Sequence, residues 1–443
     1  MTTPTTSTPS ASDPTPAGDR TPVAVEGTVT IAVATQAPDL SNSFGEYLRA
    51  WAKRIRTGES GVLPVIAGLI ILVIIFQAKN SHFLTALNLT NLLVQGSVFI
   101  LLGMAEVWVL ILGEIDLSVG YVAGIGGVVT AILASSPDNW PWWAAVLAGV
   151  AVTSLFGMLW GTLVIRLRLP SFVVTLAGLL GCEGILLYLV TSHGPGGTIR
   201  LSSNVLLDIT NGNLSPAASW IVAVAAVVLF GATTVLRDRH RRRSGLVAPP
   251  VAVTSLKVGG MAVASAALVL ICNQNRGVGF IAVQGVPYVV LVVLAVLVGY
   301  TFILGRMRFG RYLYAIGGNA EAARRSGVSL GWNRLWAFTL TGFTAGIAGI
   351  VYASRLGSIS NNIDGGTLVL YAVAAAVIGG ASLFGGRGKM IHALLGGLVI
   401  ATIYNGMGLI GLAADYQFMV TAVVLLAAVT IDSLARRGRT TAS

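Results

Sequence analysis

Charge is scarce in this chain. Only 10% of its 443 residues are Asp, Glu, Lys or Arg, and the acids are outnumbered 17 to 28. Against 55% hydrophobic residues and a mean hydropathy of +0.81, so little charge excludes an ordinary soluble domain and marks an integral membrane protein. Cysteine is also nearly absent. Cys182 and Cys272 each lie in or at the end of an apolar run, which excludes a disulfide framework and reads as small core hydrophobes. The four histidines, His82, His193, His240 and His392, have no ligand spacing, so a catalytic metal is not indicated. No nucleophile and base converge near one membrane surface either, so the chain is not expected to be an enzyme. The net charge of +11 would suit nucleic acid, but the basic residues fall between apolar spans rather than on one soluble face, and no nucleic-acid partner is expected.

Residues 1–45 hold no apolar run of spanning length and no basic stretch leading into one. Rich in Thr, Pro, Ser and Ala, they read as a disordered cytoplasmic tail rather than a signal peptide. The transmembrane body runs over 46–435 and a basic cytoplasmic tail over 436–443. Within the body, apolar spans are placed at 61–77, 92–113, 117–135, 142–165, 171–192, 218–236, 251–272, 287–305, 332–354, 367–384, 390–410 and 415–433, each close to the ~20 residues a bilayer requires. The expected fold class is therefore all-α, polytopic, with about 12 transmembrane helices.

With the N-terminus inside, the even crossings return to the cytoplasm. Their loops carry Arg166 and Arg168, the cluster Arg237 to Arg243, then Arg306, Arg308, Arg311, Arg324 and Arg325, and finally Arg387 with Lys389. Arg49, Lys53, Arg54 and Arg56, and the tail Arg436, Arg437 and Arg439, also land inside, whereas Lys79, Arg200, Arg276 and Arg355 land outside. This asymmetry supports both termini cytoplasmic. Trp51, Trp140, Trp142, Trp143, Trp220 and Trp332 fall near span ends, where an amphipathic ring prefers the headgroup layer. Fifty-four glycines allow close helix approach, as in the Gly120/Gly124, Gly157/Gly161 and Gly342/Gly346 pairs.

Four polar elements interrupt the apolar pattern. The first, Arg306 to Gly331, reads as a basic loop with its own helix. Asn319 can cap it, Glu321 sits in its positive first turn, Ala320 to Arg325 are good helix formers, and Gly327 is a left-handed stop. The second is Gly113 to Gly120, with Glu114, Asp116 and Ser118. It could contact a hydroxyl-rich solute, or Asp116 or Ser118 could cap the third helix. The third is the pair Glu106 and Glu183, inside spans, which could line a water-filled path or tie neighbouring helices. The fourth, Ile378 to Lys389, is no phosphate-binding loop: Leu383 stands where a glycine is needed and Met390 follows Lys389 where a hydroxyl is needed. Its glycines read as a flexible turn.

The chain resembles the permease subunits of ABC importers for ribose, xylose and related sugars. The resemblance rests on Gly113 to Gly120, on Leu169-Pro170-Ser171-Phe172-Val173-Val174-Thr175-Leu176-Ala177-Gly178, on Ala315 to Gly327, on Ile378 to Gly386, and on Asn405-Gly406-Met407, in order across about 300 residues. Glu114 and the additional span pair around Arg237 to Arg243 look most like the xylose branch. The resemblance implies sugar import into the cytoplasm of a prokaryote across its plasma membrane, the sugar being a pentose such as xylose. It also implies a homodimer of permeases, a cytoplasmic ATPase and an extracytoplasmic sugar-binding protein as partners, with ATP used by the ATPase and no cofactor bound by this chain. By position, Gly317, Asn319, Glu321, Ala322, Ala323 and Gly327 match the ATPase-coupling loop, within 306–331. Glu114, Asp116, Ser118, Thr175 and Asn405 are the candidates for the substrate path. The rival class is an ion-coupled secondary sugar transporter, in which Glu106 and Glu183 would be recruited to an ion site.

Overall fold

A computed structural model describes residues 63–246, 248–277, 282–423, 426 and 430. The expectations for 1–45 and for 436–443 lie outside the described residues, as do Trp51 and the basic residues preceding the first span. Most of the described residues are helical, as a lipid solvent demands: backbone amides that water cannot reach must be paired within their own segment. In chain order the elements are α1 (Leu63–Lys79), α2 (Ala86–Leu110), α3 (Val119–Ala134), α4 (Trp142–Leu167), α5 (Ser171–His193), β1 (Thr198–Arg200), α6 (Asn204–Asn211), α7 (Pro216–Arg243), α8 (Val251–Cys272) and α9 (Tyr288–Arg306). There follow α10 (Arg308–Gly318), α11 (Ala320–Arg325), α12 (Leu330–Leu356), β2 (Ser358–Ser360), α13 (Gly365–Gly379) and α14 (Met390–Leu409). Residues 414–423 are also helical. Among the described residues, eight helices are long and apolar enough to cross a membrane, and α1, α3 and α13 are shorter apolar helices.

The bundle is organised around α2, whose second half is buried on every side from Gly96 to Leu110. Helices α12, α13 and α14 pack against it, and α12 also packs along α3 and α4. Helices α7 and α8 lie at the periphery and pack mainly on each other; Thr254 Oγ1 donates to Asp238 Oδ2 at 2.6 Å across that pair. Strands β1 and β2 form a two-stranded antiparallel ladder with Ile199 opposite Ile359, both buried, at the end of α12 that lies away from α10 and α11.

Three span boundaries differ from the hydropathy pattern. Helix α2 begins at Ala86 rather than 92, because Thr85 caps it by accepting the Asn88 amide and the polar Asn88 and Thr90 are buried within the bundle. Helix α7 continues through the run Arg237 to Arg243, arginine being a good helix former and cations being favoured at a helix C-terminus. Helix α13 ends at Gly379, five residues before the expected end of its span.

What joins these helices is backbone approach. A Cβ on Gly349 of α12 would overlap the Ala123 carbonyl of α3, one on Gly342 would overlap the Thr153 carbonyl of α4, and one on Gly396 of α14 would overlap the Ala375 carbonyl of α13. In a solvent as apolar as leucine, this contact and the dispersion it provides replace the hydrophobic drive that holds soluble bundles. We expect Gly349→Ala to destabilise the protein by about 1–3 kcal/mol through overpacking. Gly299→Ala on α9, where nothing lies within 4 Å, should leave stability unchanged. Thermal unfolding of the detergent-solubilised variants checks both.

Candidate functional site

The loop between α9 and α12 contains two helices, not one. Helix α10 was not legible as such because Gly317-Gly318 reads as a break, yet Gly310, Leu313 and Ile316 form a buried stripe at helical spacing while Arg308, Arg311 and Tyr312 face out. Gly310 lets α10 turn sharply off α9, since a Cβ there would overlap the Leu304 carbonyl.

Asn319 then opens α11. Its side chain accepts the Ala322 amide at 2.9 Å, its backbone is extended, and Ala323 is buried against the body. The helix closes on Gly327 at φ +81, with Val328 N donating to Ala323 O and Gly327 N to Arg324 O, both at 3.0 Å, which is a Schellman stop. Glu321 accepts from Arg324 Nε and Nη2 at 2.9 and 2.8 Å and from Arg325 Nε at 3.0 Å. The hydrogen bonds from Arg324 and then Arg325 hold the exposed Glu321 carboxyl below its ordinary value.

Helix α10 is fastened to the body through glycines. A Cβ on Gly317 would overlap the carbonyl oxygen of Ile111, just past the end of α2, and that same oxygen accepts the Gly386 amide at 2.8 Å. Tyr314 donates its hydroxyl to the Gly388 carbonyl. The turn between α13 and α14 is closed by Ser382 N donating to Arg387 O at 3.0 Å, and Gly385 and Gly386 lie against Gly317 and Gly318. This corrects the expectation of a flexible turn at Ile378 to Lys389. Its glycines are there because three backbones, from α2, α10 and the α13–α14 turn, meet without side chains between them.

The polar junction Gly113 to Gly120 adjoins this meeting point, and most of its polar atoms are engaged internally. Asp116 Oδ1 accepts from Ser118 N at 2.9 Å and Ser118 Oγ at 2.6 Å, so Asp116 orders the approach to α3 while the Ser118 side chain makes no cap bond of its own. Thr175 Oγ1 lies 3.2 Å from the Ile115 carbonyl and 3.0 Å from that of Ser171, tying α5 to the junction. Glu106, fully buried on α2, has Asp116 among its neighbours. Glu114 Oε1 lies 2.8 Å from Arg334 Nε in the first turns of α12. Burial raises the Glu114 carboxyl, and Arg334 offsets part of that rise.

Asn405 is elsewhere. It accepts from Asn88 Nδ2 at 2.9 Å, joining α14 to the first turn of α2. Since α2 has 25 residues, Asn405 and the Glu114 junction are separated by roughly 37 Å of helix. The five residues proposed for a substrate path are therefore brought together in part: Glu114, Asp116, Ser118 and Thr175 share one junction, and Asn405 belongs to the opposite end of the bundle.

That opposite end holds a feature that sequence reasoning missed. A cavity of about 300 Å³ opens where α2, α12, α13, α14 and the helix over 414–423 meet, lined among others by Phe99, Tyr352, Arg355, Asp364, Tyr371 and Tyr404. Phe99 stands edge-on to Tyr371 and Tyr404, with centroids 5.2 and 5.5 Å away. The available signal was three tyrosines within otherwise apolar spans and an arginine one residue past the end of a span. Arg355 was counted only as a charge on the outer side.

The Glu114–Arg334 pair yields a stability test. Arg334→Met would leave a buried carboxylate without its partner and should cost about 3 kcal/mol, the low end of the usual range because the Arg334 side chain is 33% exposed. Adding Glu114→Gln should recover most of the loss in thermal unfolding.

Comparison with known proteins places this architecture. The model of the branched-chain amino acid transport system / permease component family matches residues 88–429. The chain is 36% identical over 374 residues to the xylose transport system permease protein of Haemophilus influenzae, covering 84% of this chain and 95% of that one. It is 30% identical to the D-allose transport system permease protein of Escherichia coli, over 83% and 90% of the two chains. With the ribose import permease protein of Escherichia coli the identity is 28%, over 83% and 92%. No solved structure matches the chain at a significant level. A helical membrane bundle built on one buried span, matched by the family model over most of its length and by the xylose permease over nearly all of that protein, belongs to the family of ribose- and xylose-type transport permeases, on the xylose side of it.

Proposed function

We propose that the chain is the membrane-spanning subunit of an ATP-driven ABC importer that carries a pentose such as xylose into the cytoplasm. The observation that carries the reading is the α10–α11 pair: a capped, rigid element joined backbone to backbone to α2 and to the α13–α14 turn. A secondary transporter has no use for such a lever, whereas a subunit driven from outside itself needs one, because alternating access is the rocking of packed bundles. The identity to the xylose permease, 36% against 30% for the allose permease and 28% for the ribose permease, supports xylose as the sugar.

In this reading two copies enclose the solute path, an ATPase docks on the exposed face of α10 and α11, and a sugar-binding protein delivers cargo on the other side. ATP is hydrolysed by the partner, and this chain binds no cofactor. Gly317, Asn319, Glu321, Ala322, Ala323 and Gly327 form the coupling element. Gly317 supplies its joint, Asn319 and Gly327 its two ends, Ala323 its seat, and Glu321 with Arg324 and Arg325 a charged docking surface. About twelve crossings with both termini cytoplasmic, in the plasma membrane of a prokaryote, complete the arrangement; the exposed Trp140, Trp142, Trp143 and Trp332 near helix ends are consistent with it.

Sugar uptake is expected to stop on ATP depletion and to persist when the proton gradient is collapsed; the reverse pattern rejects the importer in favour of an ion-coupled transporter. Glu321→Lys should leave folding intact, as its side chain is 51% exposed, and abolish the coupling of ATP hydrolysis to uptake. Gly317→Ala should also abolish that coupling, by prising α10 from Ile111, at a cost in stability comparable to that of Gly349→Ala. Vesicle uptake measured beside ATPase rate checks both, and unchanged uptake in the two variants overturns the coupling assignment.

A further inference from the structure

We propose that the tyrosine-lined cavity is a binding stop for a neutral monosaccharide on its way through the permease, with Arg355 as its fixed hydrogen-bond donor. The proposal rests on the importer reading and adds to it the place where the sugar is held. Its volume of about 300 Å³ is at the lower bound of small-molecule sites, which suits a single sugar ring and not an oligosaccharide.

The lining fits that ligand chemically. A sugar ring presents apolar C–H faces and a rim of hydroxyls. The rings of Phe99, Tyr371 and Tyr404 stand at 69–74° to one another, so a ring entering the space meets aromatic faces and edges together. Arg355 makes no ion pair among the described residues, and the phenols of Tyr352 and Tyr404 are its electrostatic neighbours. Its guanidinium offers five donors in a fixed plane.

The cavity is also preorganised. Ser354, next to Arg355, is tied to α6: Thr210 Oγ1 lies 2.9 Å from Ser354 Oγ, and Asn211 Nδ2 donates to the Ser354 carbonyl. Asp364 Oδ1 accepts the Thr367 amide at 2.9 Å and Oδ2 accepts the Thr367 hydroxyl, which fixes the carboxylate at the cavity wall. Each carboxylate oxygen keeps lone-pair capacity that can accept a sugar hydroxyl.

The test uses the full-length protein in proteoliposomes. Asn362 lines the cavity and is exposed, whereas Cys182 and Cys272 are buried, so Asn362→Cys gives a single accessible thiol for a maleimide among the described residues. Excess D-xylose should slow labelling and L-leucine at the same concentration should not. Arg355→Gln should raise the half-protecting xylose concentration about tenfold or more, the loss of one charged hydrogen bond. Tyr404→Phe, which keeps the ring, should raise it several-fold and serves if Arg355→Gln does not fold. No protection by xylose, equal protection by leucine, or an unchanged half-protecting concentration in the folded variants overturns the proposal. The ATP dependence of wild-type uptake is a separate readout: if it holds without protection, the cavity assignment alone falls; if protection holds without ATP dependence, the importer reading falls and the binding site stands.

Discussion

The structure depends on backbone meeting backbone. In lipid there is no hydrophobic gain from bringing two apolar helices together, so the bundle needs contacts that lipid tails cannot make equally well. Glycines provide them here, by letting a carbonyl of one helix take the place of a side chain on the next. Gly349 on Ala123, Gly342 on Thr153 and Gly396 on Ala375 join α12 to α3 and α4, and α14 to α13. Such joints have little compliance, because nothing flexible lies between the two main chains.

In the proposed importer, that stiffness is what would let one end of the molecule act on the other. Helix α12 starts one turn past the α11 stop and runs 27 residues, roughly 40 Å, to Arg355 and Leu356 beside the tyrosine-lined cavity. Helix α2 spans a similar length in the opposite sense, its far end receiving Gly317 and Gly386 on the Ile111 carbonyl. A displacement of α10 therefore reaches α2 directly, the α13–α14 turn through Gly385 and Gly386, and α12 through the chain itself. The Glu114–Arg334 pair holds the near end of α12 against the junction after α2. Charged groups are concentrated at the two ends of this pair; between them the centre of α2 buries large apolar residues such as Phe99, Leu101, Leu102 and Met104, and that of α12 buries the small residues Gly342, Ala345, Gly346 and Gly349 together with threonines.

Class and span order were legible because they follow from composition and periodicity, which survive without tertiary information. The short helix α11 was legible for the same reason: Asn319, Glu321, Arg324, Arg325 and Gly327 act within six to nine residues of one another, and capping, first-turn charge and a left-handed stop are local physics. The α10 helix was not, since Gly317-Gly318 carries the same letters whether it breaks a helix or seats one. The flexible reading of Ile378 to Lys389 failed for the same reason, glycine being equally suited to freedom and to close approach.

The sequence by itself determined that this is a helical membrane protein, the order of its apolar segments though not their exact ends, and that a short capped rod stands between two of them, because each is settled by residues near one another in the chain. Only the tertiary structure decided which polar residues share a site. Asn405 pairs with Asn88 across 317 residues and leaves the Glu114 junction, while Phe99, Arg355, Asp364, Tyr371 and Tyr404, drawn from four separate helices and a helix cap, converge on one cavity. Convergence of that kind depends on helix rotation and depth, which are set by the glycine contacts between helices and by nothing local to the residues that converge.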